Sequence, residues 1–217
     1  MWKTEGNLAF STLISCFDSR ITHFTTTKLS GNITHPLLTS SKQVHDKKIK
    51  IVKSISDAHS YEGYDGFITG VKGIPLGIFT ADCVSVFLAE KSGKCAAILH
   101  AGWKGLYTGI IENGVEMLLE NFGVESSGLV AAIGPHICEK CYEVGEEFAG
   151  YFPNSYKNGY LNLSNEAILR LKAKNIPENN IDCIDSKDFC TLHNPNLFFS
   201  YRQGEKTSRM LSLIMLK

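Results

Sequence analysis

The chain has 217 residues, 43% of them hydrophobic, with 22 basic and 22 acidic side chains and a formal net charge of zero. That length and apolar content suffice for a full core, and they make a single domain over residues 1–217 the simplest organisation. The even charge, without any basic run, argues against nucleic-acid or membrane-surface binding, and no apolar stretch reaches transmembrane length.

In chain order, LAFSTLISCF follows a single basic residue, Lys3, and leads to no small-x-small cleavage site. It reads as an early strand over residues 8–17 and not as a secretory signal. Further apolar and β-branched runs predict strands over 21–26, 48–52, 66–69, 76–81, 84–89, 95–99, 129–133, 182–184, 197–201 and 210–215. Helical spacing of apolar residues predicts helices over 109–122, 144–151 and 164–174, the last capped by Ser164 and ended by Asn175 and Pro177. Many strands with few interspersed helices predict an α+β fold, a mixed sheet covered by helices, and not a doubly wound parallel sheet. The seven cysteines, at 16, 83, 95, 138, 141, 183 and 190, are odd in number and widely scattered. They read as reduced thiols of a cytoplasmic protein, most of them packing as small hydrophobes.

The chemistry gathers at the ends of apolar runs. In CAAILHAGWKGLYTG a buried strand meets a glycine turn and a helix, placing His100 at a strand's carboxyl end beside backbone N–H groups. In GIFTADCVSVFLAE, Asp82 and Cys83 break a long β-rich run, and an acid there needs a partner or water. His45 stands in SKQVHDKK. Two histidines and one cysteine suit a three-ligand zinc site with an open fourth position, although their spacing is not a compact zinc signature. Cys138-x-x-Cys141 has no second such pair to complete a zinc ribbon, and reads as structural.

The set QVH, TADC, HAGWKG, the IGP–YEVG segment and LFFSYR, in order from about Phe24 onward, resembles the YfiH family, also called the laccase-domain or polyphenol-oxidase family. The resemblance implies a compact α/β/α-type domain of mixed sheets. It also implies a zinc-binding purine nucleoside phosphorylase acting on adenosine, inosine, guanosine and methylthioadenosine, with adenosine deaminase activity besides. The implied ligands fall on His45, Cys83 and His100. Asp82 becomes a proton shuttle for deamination, and Lys104, Arg202 and Gln43 become contacts for phosphate or nucleoside. Four positions depart from the family pattern: Thr27 and Lys104 where Arg is usual, Asp46 where Gly is, and Asn162 where Asp is. These changes bear most on anion binding, since an ammonium is not a bidentate fork.

Three other functions fit parts of the sequence. A peptidoglycan-precursor editing amidase would use Cys83 as nucleophile with His100 or His45 as base. A copper polyphenol oxidase is disfavoured, because no histidines pair as H-x-H and a multicopper centre needs many imidazoles. A zinc-stapled binding module would hold metal without turnover.

Overall fold

The computed structural model describes residues 1–17, 19–31, 33–184 and 187–217. Its strands are β1 (Trp2–Glu5), β2 (Leu8–Ser11), β3 (Ile21–Thr26), β4 (Ser40–Lys42), β5 (Ile49–Val52), β6 (Ser60–Glu62), β7 (Gly66–Thr69) and β8 (Leu76–Thr80). They continue with β9 (Val84–Glu90), β10 (Ala96–Ala101), β11 (Leu129–Ile133), β12 (Tyr156–Lys157), β13 (Tyr160–Leu161), β14 (Ile181–Cys183) and β15 (Met210–Leu216). The α-helices are α1 (Thr12–Ser15), α2 (Trp103–Thr108), α3 (Ile110–Phe122), α4 (Phe148–Tyr151) and α5 (Leu163–Ala173).

Two sheets carry the fold. One has the order β1-β2-β3-β15-β8 and is antiparallel throughout. The other, β14-β11-β9-β10-β7-β5, is mixed, with parallel pairs at both edges. Side-chain alternation along β10 shows how they pack. Ala96 and Ile98 join Phe67, Phe87, Ile78 and Ile214 in a core between the sheets. Ala97, Leu99 and Ala101 join Ile111, Val115 and Leu118 of α3 and Ala167 and Leu171 of α5 in a second core. The six-stranded sheet is thus covered on both faces, which is why its strands read as unbroken apolar runs. The α+β class expected from the sequence is what the chain adopts.

Most strands lie within a residue or two of their expected places, and the misses have physical causes. Residues 8–17 turn from strand into α1 after Ser11, burying Ile14 between the sheets. The helix expected from Gly109 is preceded by another, α2; Gly109, at φ 90°, ends the first and starts the second, a left-handed conformation that glycine adopts freely. Of residues 144–151 only α4 is helical. Helix α5 is capped by Asn162, whose Oδ1 accepts the Asn165 N–H at 2.8 Å, and Ser164 lies inside the helix. Residues 197–201 form no strand: Leu197 and Phe198 both donate their N–H to the Asn194 carbonyl at 3.0 Å, so this aromatic run is a turn that buries Phe198.

Candidate functional site

The site is organised by a residue that sequence reasoning missed. Asp65, directly before β7 and fully buried, accepts the backbone N–H groups of Val44, His45 and Asp46 at 3.1, 2.9 and 3.0 Å. Its Oδ1 also lies 2.8 Å from Nδ1 of His100, and its carbonyl accepts the His100 N–H at 2.7 Å. One carboxylate therefore fixes the loop that carries one histidine and the ring of the other. That loop needs holding, since His45 sits at φ 63°, where a side chain is strained. The signal for Asp65 was an acid directly before the buried run GFIT, a place where a carboxylate must have partners.

Gln43 secures the other end of the loop. Its amide donates to the Phe79 carbonyl at 3.0 Å and accepts the Phe79 N–H at 2.7 Å, hooking the loop to the edge strand β8. Past β8 the chain turns through Asp82, at φ 84°, and presents Cys83. The Asp82 carboxylate accepts from Thr191 Oγ1 at 2.6 Å and from the Arg202 N–H at 2.8 Å. Both oxygens thus brace distant loops.

The ligand atoms of His45, Cys83 and His100 all lie within 4.8 Å of one another, and the two imidazoles meet edge-on with centroids 4.6 Å apart. His45 is exposed, Cys83 half-buried and His100 buried. Burial pushes the Cys83 thiol up, but the charge of His100 and hydrogen bonds from His100 and His45 outweigh it and bring it down to about 6. For His100 burial works downward, and the Cys83 charge and Asp65 raise it to about 9. Asp65 lies below its ordinary value, because the hydrogen bonds and charge of His100 and the loop N–H groups outweigh burial.

This donor set fits a zinc-like cation. It offers two imidazoles and a thiol held below its ordinary range, and Asp65 occupies Nδ1 of His100 so that Nε2 is the nitrogen left to bind. Gly102 completes the cradle, since a Cβ there would meet Cys83 Sγ at 2.9 Å and His45 Cδ2 at 3.3 Å. Gly102→Ala is therefore expected to weaken metal affinity roughly 10-fold or more by displacing the thiol. Competition with a chromophoric chelator measures this, and unchanged affinity would mean that the cradle has slack.

The cluster lies in an open cleft of about 870 Å³, large enough for a small organic substrate. Phe79, Trp103, Tyr142 and Tyr201 give it aromatic walls, and its cations are Lys42, Arg202 and Arg209. Arg202 lies over the Tyr142 ring, 4.9 Å from its centroid, with Nη2 donating to the Glu143 carbonyl at 2.7 Å. Lys104 is not in this wall; it is exposed, with Nζ 5.5 Å from the Trp103 ring centroid. Sequence reasoning missed Lys42 and Arg209, which lie in unpatterned polar segments. Thr27 and Asn162 also stand apart from the cleft. Thr27 caps a short 3-10 turn and donates to the Asn7 carbonyl at 2.9 Å, and Asn162 caps α5. Asp46 accepts the Lys47 N–H at 2.8 Å beside the His45 loop.

The family model described as multi-copper polyphenol oxidoreductase laccase matches residues 24–217. The chain is 35% identical over 185 residues to a purine nucleoside phosphorylase from Clostridium acetobutylicum, covering 81% of this chain and 75% of that protein. It is 32% identical over 127 residues to an adenosine deaminase, RL5, from an unknown prokaryotic organism, covering 58% of this chain and 46% of that one. The solved structure of a hypothetical protein YfiH from Bacillus licheniformis has the same fold, with a TM-score of 0.86 at 24% identity, covering 100% of this chain and 99% of that one. The matched span contains His45, Cys83 and His100 and every strand from β4 to β15, and the chain belongs to the multi-copper polyphenol oxidoreductase laccase family, that of the YfiH proteins.

Proposed function

We propose that residues 1–217 form one catalytic domain, a zinc-dependent purine nucleoside phosphorylase of the cytoplasm. It converts adenosine, inosine, guanosine and methylthioadenosine with phosphate to free base and sugar 1-phosphate, and deaminates adenosine as a side activity. The observation that carries this reading is one cleft holding the His45–Cys83–His100 cluster, a cationic wall and four aromatic side chains together. Zinc, when held by those three residues, supplies Lewis acidity and a fixed positive charge.

The rest is work for the chain's own side chains. Arg202 and Arg209 hold phosphate so that one oxygen faces the anomeric carbon, and the glycosidic bond breaks as the new C–O bond forms. The purine leaves between aromatic faces. The Tyr142 phenol is pushed up to about 12, by burial first and then by the Cys83 charge, so it stays a neutral donor for the departing base. Asp82 keeps Arg202 and the Thr191 loop in place, as a positioning residue.

Incubation of the purified protein with adenosine, inosine and methylthioadenosine, with and without phosphate, tests the reading. Base and sugar 1-phosphate are expected only with phosphate present, and some inosine from adenosine without it. Base release that ignores phosphate would identify a hydrolase and overturn the proposal.

One observation favours a second reading. Cys83, His100 and Asp65 stand in the order thiol, imidazole, carboxylate, the arrangement of an activated cysteine nucleophile. An amidase editing peptidoglycan precursors would use them so. It would keep its activity after chelation, whereas the phosphorylase would lose it. Neither candidate cluster among the described residues holds more than two imidazoles, so a multicopper centre is not proposed.

A further inference from the structure

Cys138-x-x-Cys141 reads from the sequence as structural because no second pair follows, but the fold supplies the missing half. Cys190 and His193, spaced C-x-x-H, reach the same point, and the ligand atoms of all four residues lie within 4.8 Å of one another. Nδ1 of His193 is 3.6 Å from the sulfurs of both Cys138 and Cys141, and its Nε2 is 3.5 Å from Cys141. Tetrahedral zinc, with Zn–S of about 2.3 Å and Zn–N of about 2.0–2.1 Å, places sulfur and nitrogen about 3.6 Å apart. The separation is that of ligands sharing one ion.

Both halves are shaped as turns that aim their donors inward. The N–H groups of Cys141 and Tyr142 donate to the Cys138 carbonyl at 3.0 and 3.1 Å, and that of Asn194 donates to the Cys190 carbonyl at 3.0 Å. The Cys138 N–H lies 3.3 Å from Cys190 Sγ, a backbone donor suited to a thiolate. Core packing does not account for the whole group: Cys190 is buried, but Cys138 and Cys141 are only half-buried and His193 is exposed. The cysteines are not joined in disulfides.

We propose that Cys138, Cys141, Cys190 and His193 hold a second zinc ion, separate from the cleft centre. Three thiolates and an imidazole fill its coordination, so the ion is structural. It ties the segment after β11 to the segment after β14, and both support the cleft. Thr191, next to Cys190, donates to Asp82, and Tyr142, next to Cys141, carries the Arg202 guanidinium on its ring. The ion's role is to hold that wall in register.

Metal analysis of the full chain, purified under reducing conditions, tests this without reference to activity, so failure of the phosphorylase reading leaves it standing. About two zinc ions per chain are expected in the wild type, and about one in each of Cys141→Ser, His193→Asn and His45→Ala. The combination of Cys141→Ser with His45→Ala should hold almost none. Cobalt reconstituted into His45→Ala should show the intense near-ultraviolet thiolate band of a three-sulfur site. His193→Asn changes an exposed side chain and keeps the test valid if Cys141→Ser fails to fold. A wild type with one zinc that Cys141→Ser and His193→Asn both retain would overturn the proposal, as would a stoichiometric Cys138–Cys141 disulfide.

Discussion

His100→Ala is expected to abolish phosphorolysis and deamination together, with activity falling on the order of 10³-fold or more. A Lewis-acid centre contributes several kcal/mol, and each ~1.4 kcal/mol is tenfold in rate. The substitution removes the buried ligand of the three and also strips Asp65 of its side-chain partner. Metal content of the cleft centre should fall with activity while the far-ultraviolet dichroism stays native. Lys104→Ala is the informative companion. Its position outside the cleft wall predicts activity within about 2-fold of wild type, although the sequence had marked it as a phosphate contact. Substantial activity in a metal-free His100→Ala protein would refute the site.

Asp65→Ala should cost more stability than any change of a ligand residue. It leaves three loop N–H groups without their acceptor, at about 1–3 kcal/mol each where water cannot replace it, so a loss of about 3–5 kcal/mol is expected. Asp65→Asn, which keeps one oxygen, should retain part of that stability. Either change should weaken metal binding about 10- to 100-fold by freeing the His100 ring. Urea midpoints in the presence of chelator separate the two effects. Because the folded carboxyl lies below its ordinary value, its contribution is complete above that value and is lost as pH falls through the folded one. A variant with wild-type midpoint and wild-type metal affinity would show that Asp65 organises nothing.

The six-stranded sheet was legible in the sequence because it is buried on both faces and its strands, such as β10 and β11, are short apolar runs. Strands β1, β4, β6, β12 and β13 are too short or too polar to carry such a signal. Short helices such as α1 were not legible either, because a single turn starting with Thr12 has no periodicity to detect. Residues 197–201 misled because aromatic packing looks like strand propensity when the backbone is invisible. For the site, the motifs identified three residues that do come together. They could not show that Gln43 is spent on the Phe79 backbone, or that Asp65 governs both histidines. Cys190-x-x-His193 was visible as a spacing, but its partner pair lies 49 residues earlier, at Cys141, and only the fold joins them.

Strand β15 lies between β3 and β8, pairing with both, although it is the last strand in the chain. On a ribosome, β3 and β8 emerge long before the segment that separates them, and each waits with an open row of N–H and C=O groups. Until Met210–Leu216 arrives, the edge of β8 that will meet it has no partner and can pair with another nascent chain. The turn that presents Cys83 grows directly out of β8, so the cleft's thiol is mounted on a support that is complete only once β15 has been made. A stalled or clipped chain would carry every ligand of both clusters and still lack the strand that holds the first of them steady.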